Sequence, residues 1–355
     1  MRYLITGGCG FIGTSLVLSL LANKRNQILN LDKLSYSSNY NLHKTISSKY
    51  SNYSFKKLDI CNFKNLKNSI NLFKPDIIFH LAAETHVDRS IEDPLSFINT
   101  NITGTYNLLE VFRIYFYNSK SNKRKKFKFI HISTDEVYGD LGDTNKFFNE
   151  LSPYKPSSPY SASKASSDHL VDSWNRTFGL PSIIINCSNN YGPNQFPEKL
   201  IPNIIIKALN GENIHVYGDG KNIRDWIHVE DSVSAMNLIS KKGQIGEKYN
   251  IGANNPKRNI DLVKLICKKL NKLIISKPNN IKKFEDLIKF VDDRPGHDFR
   301  YAINANKLKK NLNWKPKKNF EKSIEETILW YSNNKKWWSY IIKKKYNMDR
   351  LGLIK

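Results

Sequence analysis

The sequence predicts an α/β fold built on a doubly wound parallel sheet. Three observations carry that expectation. Short apolar strand patterns alternate with helical ones through about residue 190, a glycine-rich turn joins the first strand to the first helix, and an acid, Asp32, closes the second strand. Alternation of this kind implies right-handed crossovers and parallel pairing.

The elements follow in order. "RYLITGGCGFIGTSLVLSLL" (Arg2 to Leu21) reads as strand, turn and helix. "NQILNLDKLSY" is a second strand, "YSFKKLDI" a third that ends at Asp59 and Ile60, and "PDIIFHLAA" a fourth. A long helical pattern spans Pro94 to Asn118, followed by a basic loop and the strand "FKFIHIST". The next helix, "YSASKASSDHLVDSWNRTFG", is closed by Gly179 and Pro181. "PSIIINCSNNYGP" is a further strand and loop, after which the pattern is less regular. "IHVYGDGKNIRDWIHVEDSVSAM" suggests short strands, a turn and a helix, "EKYNIGANN" one more strand, and the chain from Pro256 onward is mostly helical. The expected organisation is a dinucleotide-binding domain over residues 1–188, with 226–255 returning to it, and a smaller lobe over 189–355.

Composition sets the outer limits. The 355 residues are 40% hydrophobic and 12% aromatic, enough for a substantial core. No apolar run approaches the ~20 residues of a membrane helix, and "MRYLITGG" lacks the regions of a signal peptide, so the expected location is the cytoplasm. Cys9, Cys61, Cys187 and Cys267 are far apart and the histidines show no HExxH spacing, which argues against a disulfide framework and a metal site. The formal net charge of +24 raises nucleic-acid or membrane binding. The lysines, however, are spread along the chain, with clusters at Lys123 to Lys128, Lys309 to Lys318 and Lys343 to Lys345 and no nucleic-acid motif among them. A coding bias towards Lys, Asn and Ile accounts for them. Neither partner is expected, although a positive field would help an anionic substrate arrive.

Gly7, Gly10 and Gly13 form G-x-x-G-x-x-G between a strand and a helix. Glycine lets the backbone approach a pyrophosphate, and the helix N-terminus supplies N–H donors. Asp32 would accept hydrogen bonds from the adenosine ribose and repel a 2′-phosphate, which favours NAD over NADP. Lys33 pulls the other way, because a base there could meet a phosphate.

Tyr160 and Lys164 lie one helical turn apart on one face. A nearby ammonium favours the phenolate, which can take a proton from a substrate hydroxyl. Such a pair alone is common. Here it follows a dinucleotide fingerprint and a strand that ends in Ser133-Thr134, which is the order of the short-chain dehydrogenase/reductase superfamily. Asp135 and Glu136 then put two carboxylates at the same strand end. Solvated loop acids are the plain reading of that pair. Beside Tyr160 and Lys164, an acid and a base of different protonation state is the better one.

The segments "GGCGFIG", "LDKLSYSSN", "HLAAETHVDRSI", "STDEVYG", "PYSASKAS", "NCSNNYGPNQFPEKLIP", "IRDWIHVEDS" and "DDRPGHDFRYAI" occur in this order. Together they resemble the nucleotide-sugar 4,6-dehydratases, and within them the dTDP-glucose 4,6-dehydratase family. The tail with Trp337, Trp338 and Arg350 to Leu353 resembles bacterial members. The resemblance implies a Rossmann-type domain, NAD held through the cycle, and a lyase that makes a 4-keto-6-deoxy sugar nucleotide for deoxysugar synthesis. It implies catalytic roles for Thr134, Asp135, Glu136, Tyr160 and Lys164. Cofactor contacts fall to Gly7, Gly10, Phe11, Ile12, Gly13, Asp32, Lys33, Leu34, Ser35, Asp59, Ile60, Leu81, Ala82, Ala83, Thr85, Thr100, Tyr160, Lys164 and Asn190. Substrate contacts fall to Thr85, Thr134, Asn189, Lys199, Leu200, His215, Tyr217, Arg224, Asn259, Arg294 and His297. Arg224 and Arg294 suit a diphosphate, because a guanidinium binds it bidentately.

His80 and His131 lie on apolar strands and read as core histidines, while His86 and Arg89 follow a strand end and are left without a role. Cys9, Thr85, His215 and His228 depart from the family pattern, and His215 leaves dTDP versus UDP open. The resemblance also implies a homodimer through the helices at 94–112 and 160–178, although an amphipathic pattern could equally pack within one chain. Two rivals stand further off. A nucleotide-sugar 4-epimerase has no use for the Asp135–Glu136 pair, and an NAD-binding protein acting on nucleic acid has no use for the whole catalytic set.

Overall fold

In strands of this chain, alternate residues serve opposite faces. Tyr3 and Ile5 pack into one buried cluster and Leu4 into another. Ile77 and Phe79 are separated from Ile78 in the same way, as is Ile130 from Phe129. This two-residue period with both faces buried is what a parallel sheet covered by helices demands. The computed structural model describes residues 1–346, 348 and 351–352. The strands are β1 (Arg2–Thr6), β2 (Gln27–Asp32), β3 (Tyr53–Lys57), β4 (Ile77–His80), β5 (Lys128–Thr134), β6 (Ser182–Cys187), β7 (Asn189–Tyr191), β8 (Ile214–Tyr217), β9 (Ile223–His228), β10 (Lys248–Ile251), β11 (Pro256–Arg258) and β12 (Ile288–Val291).

Seven of them form one parallel sheet in the order β10-β6-β5-β4-β1-β2-β3, which makes it a doubly wound α/β sheet. Helices Phe11–Leu21 and Val229–Lys242 cover one face, and Phe63–Phe73, Gly104–Tyr117 and Pro159–Phe178 the other. The late strand β10 pairs with β6, so the chain re-enters the sheet after leaving it. Leu308 and Trp314 also pack into the first core.

A second core gathers Ile204, Leu262, Ile266, Ile324 and Tyr331 from helices Leu200–Asn210, Asn259–Leu273 and Phe320–Asn333. Beside it lie the three-stranded sheet β11-β9-β7 and the pair β12-β8. No described helix is long and apolar enough to cross a membrane. Arg350 and Leu353, part of the tail resemblance, lie outside the described residues.

The helix that bears Tyr160 is closely defined by its sequence. Ser158 and Ser161 form a capping box, Pro159 occupies the first turn, and Gly179 ends the helix at φ 60°. Each device satisfies terminal groups that would otherwise lack partners. The single long helix expected over Pro94 to Asn118 is instead three pieces. An α-turn at Pro94–Phe97 leads into a π-helical stretch at Ile98–Thr103, and then an α-helix at Gly104–Tyr117. The wide turn lets Asn101 reach inward, where its side chain accepts from Glu84 N at 2.8 Å and donates to Ser163 Oγ at 2.8 Å. The basic loop contains a short helical turn at Ser121–Arg124.

Candidate active site

In a sheet of this order the direction of winding reverses beside β1, and the carboxyl ends of β1 and β4 open into a crevice. The glycine turn sits there. Gly7 has φ +72°, and a side chain on it would meet Ala82 N at 2.6 Å. A side chain on Gly13 would lie 2.3 Å from Gly7 O, so the helix can begin against the turn only with glycine. Helix Phe11–Leu21 has no side-chain cap, which leaves its first N–H groups for the crevice. Asp32 closes β2 and accepts from Cys9 N at 2.9 Å, Leu34 N at 2.8 Å and Ser38 Oγ at 3.1 Å. The expected contacts Gly7, Gly10, Phe11, Ile12, Gly13, Asp32, Lys33, Ser35, Asp59, Ile60, Leu81, Ala82, Ala83, Thr85, Thr100 and Asn190 all line one cleft.

Leu34 is the exception. It does not line the cleft; at φ 62° it turns the chain, and its N–H serves Asp32. Lys33 is tied down by Glu84 at 2.7 Å and Thr100 Oγ1 at 3.1 Å, so it is not free to meet a phosphate.

The inner end of this cleft carries Thr134, Asp135, Glu136, Tyr160 and Lys164. Asp135 and Glu136 leave β5 in a single 3-10 turn, capped by Thr134. Asp135 is 1% exposed and its Oδ2 has no hydrogen-bond partner among the described residues. Burial, then Glu136 and Asp225, push its carboxyl well above the ordinary range. Burial also raises Glu136, but Arg294, Arg224 and Lys199 oppose the rise.

Burial pushes the Tyr160 phenol well up, with Glu136 adding and a hydrogen bond with Thr134 opposing. The lowering expected from Lys164 is not found there, where burial and the neighbouring carboxylates dominate. Lys164 itself is brought down to about 8 by burial, against the pull of Asp168. Its Nζ donates to Ile132 O at 2.8 Å. His80 is a satisfied core histidine, bonded to Thr6 and Thr105 at 2.8 and 2.9 Å.

A second cleft meets the first. Thr85, Glu136, Asn189, Glu198 and Lys199 line both. Beyond the seam it is lined by Leu200, His215, Tyr217, Arg224, Asn259, Arg294 and His297, so every expected substrate residue except Thr134 faces it; Thr134 lies on the other side of the seam. Arg224 is anchored by Ile223 O and Asp298 O, both at 2.8 Å, and stacks over Tyr301 at 4.3 Å. Arg294 pairs with Asp88 and leaves its Nε buried without a partner. Such an arrangement aims guanidinium donors at an anion.

Several lining residues had no role in the sequence reading. Glu198 accepts from Tyr36 OH at 2.8 Å and Arg89 Nε at 3.0 Å, and Asp88 and Tyr301 hold the two arginines. All sit inside the quoted motifs, but only tertiary pairing gives them a purpose. His86 lines the second cleft, while Arg89 acts through Glu198.

A cleft for a dinucleotide that meets, at Glu136, a cleft for an anion suits a nucleotide-sugar enzyme. A family profile described as GDP-mannose 4,6 dehydratase matches residues 4–327. A dTDP-glucose 4,6-dehydratase of Neisseria meningitidis is 50% identical over 351 residues, 99% of each chain. The chain belongs to the dTDP-glucose 4,6-dehydratase family. Solved members share the fold. The Bacillus anthracis dTDP-glucose 4,6-dehydratase in complex with NAD is 42% identical, with a TM-score of 0.84 over 96% of this chain and 99% of that one. A Streptomyces venezuelae dTDP-glucose 4,6-dehydratase with NAD and TYD bound is 35% identical, with a TM-score of 0.86 over 96% of this chain and 100% of that one.

Proposed function

We propose that this protein dehydrates dTDP-glucose to dTDP-4-keto-6-deoxyglucose with a resident NAD, a hydro-lyase step towards deoxysugars. The observation that carries the reading is the acid pair at the end of β5, with Glu136 at the seam of the two clefts and Asp135 beside it on the cofactor side. The glycine cradle, the uncapped helix start and Asp32 fit the dinucleotide. When bound, NAD supplies the acceptor and later the donor of a hydride.

The remaining steps belong to side chains. Tyr160 takes the C4-hydroxyl proton, and Thr134 steadies the C4 oxygen. The resulting ketone acidifies the C5 proton, which Glu136 removes. Asp135 protonates the C6 hydroxyl, and water leaves. Glu136 then returns its proton to C5. The cycle leaves Tyr160 one proton up and Asp135 one down, so a transfer between them resets it. Arg224 and Arg294 hold the diphosphate. Residues 1–188 with 226–255 mainly serve the cofactor, joined there by Asn190, and the other described residues, apart from the stretch around Leu308 and Trp314, mainly serve the nucleotide sugar. Free cysteines support a cytoplasmic enzyme.

A homodimer completes the proposal. Leu95, Ile98 and Tyr106 are 62%, 47% and 44% exposed along one flank, with Tyr106 edge-on to Trp174 of the neighbouring helix. An apolar strip of this kind suits a two-fold helix interface. The test of function is incubation with dTDP-glucose and, separately, UDP-glucose, with no added NAD. Loss of one water from dTDP-glucose by mass is expected. No dehydration of either nucleotide sugar sinks the reading, and dehydration of UDP-glucose alone moves it to the other base.

A further inference from the structure

Behind Lys164, one turn further along the same helix, lies a carboxylate that the reaction does not touch. Asp168 is fully buried and collects four donors or ring contacts. His131 Nε2 lies 3.1 Å from its Oδ1, while Ser133 Oγ at 2.8 Å, Tyr154 OH at 2.9 Å and Asn186 Nδ2 at 3.4 Å converge on its Oδ2. His131 Nε2 is also 3.5 Å from Lys164 Nζ, so the imidazole stands between ammonium and carboxylate. Asn186 donates in addition to Thr134 O at 3.1 Å. One carboxylate therefore braces both the helix that carries Tyr160 and Lys164 and the strand end that carries the acid pair.

We propose that Asp168 is a positioning residue that, together with His131, keeps the Lys164 ammonium charged and seated on Ile132 O. The reasoning is electrostatic. An ammonium in a water-poor interior is costly unless a counter-charge lies near. The other groups that face Lys164 cannot supply one. Cys187 on β6 is pushed up by burial and stays neutral, and the Tyr160 phenol, pushed up as well, loses any charge each time it takes the C4-hydroxyl proton. His131 on β5 and His80 on β4 are pushed down and stay neutral. Asp168 is held below the ordinary carboxylate range by the bonds it accepts, although burial works against it. The nearby phenols of Tyr138 and Tyr154 are raised by burial and carry no charge.

The assignment rests on the proposed dehydration, and its test separates the two. The alkaline limb of turnover against pH moves to lower pH by about one unit or more in Asp168→Asn, because the ammonium loses its counter-charge. Tyr154→Phe removes one bond to the same carboxylate but leaves its charge, so it leaves the limb in place. An unmoved limb in Asp168→Asn, or an equal shift in Tyr154→Phe, overturns the proposal. Denaturation of the purified full chain gives a readout without turnover. Asp168→Asn and Lys164→Met each lower the denaturant midpoint, and the double variant loses less than the sum of the two. If Asp168→Asn does not fold, the double variant must recover folding. A double variant that fails while Lys164→Met folds would mean that Asp168 serves the core regardless of Lys164. A wild type without dehydratase activity defeats the function, and the denaturation cycle still decides Asp168.

Discussion

Asp135 and Glu136 are adjacent in the chain yet sit in different electrostatic surroundings. Asp135 faces only the cofactor cleft and has an unpartnered Oδ2, while Glu136 stands at the seam of both clefts under the influence of Arg294, Arg224 and Lys199. The first is suited to hold a proton and the second to take one. Glu136→Gln should still oxidise the sugar at C4 but eliminate water slowly, by ~10²- to 10⁴-fold. A single turnover would then show reduced cofactor accumulating on the enzyme. Normal turnover in Glu136→Gln would remove it as the base.

The buried Asp135 should also cost stability. A carboxyl whose folded value is raised above the unfolded one, about 3.9, favours folding when protonated. That contribution is complete below the unfolded value and is lost as pH rises through the folded one. Asp135→Asn removes the titration. Its denaturation midpoint should therefore gain on wild type as pH rises from about 4, then level off above the folded value, while dehydration falls. A stability difference independent of pH would show that Asp135 is not held protonated.

Much of this was legible in the sequence, for physical reasons that differ by element. Strand alternation and the capping residues around Ser158 and Gly179 are local signals, so the sheet and the Tyr160 helix could be read directly. The glycine spacing placed the turn because Gly7 and Gly13 have no room for a side chain. The π-helical turn at Ile98–Thr103 was not legible, because Asn101 is drawn inward by Glu84 and Ser163, far from it in sequence. The same holds for Glu198, whose partners Tyr36 and Arg89 lie more than 100 residues away. Leu34 was assigned as a contact by the family resemblance, whereas it does not line the cleft and its N–H serves Asp32.

The glycine turn gives a graded prediction. A methyl at Gly13 meets backbone at 2.3 Å (Gly7 O) and 2.7 Å (Gly8 Cα), and backbone cannot step aside cheaply. At Gly10 the nearest atom is Gly7 O at 3.3 Å, a contact that a small shift relieves. Gly13→Ala should lose co-purifying NAD and unfold at lower denaturant, while Gly10→Ala keeps its fold and loses affinity only in part. The measurements are cofactor content after denaturation and the unfolding midpoint. Equal cofactor content in both variants would count against the cradle.

The exposed flank of the Pro94–Phe97 turn and the helices behind it gives the last prediction. Leu95, Ile98 and Tyr106 present exposed apolar side chains close to one another in sequence, which a second copy could cover. The catalytic helix is close by: Phe97, from the same turn, packs edge-on against Tyr160 at 6.2 Å. Burying the strip against a second copy would therefore stiffen the site as well as hide the surface. Ile98→Lys together with Tyr106→Lys places two like charges on the strip and, across a two-fold axis, four at one interface. Light scattering should then give the mass of one chain where wild type gives two. Turnover should fall with the dissociation and should not recover in excess substrate, because the site is altered through its neighbouring elements and not through substrate affinity alone. A wild type that runs as a single chain would remove the dimer, and the strip would then need another partner.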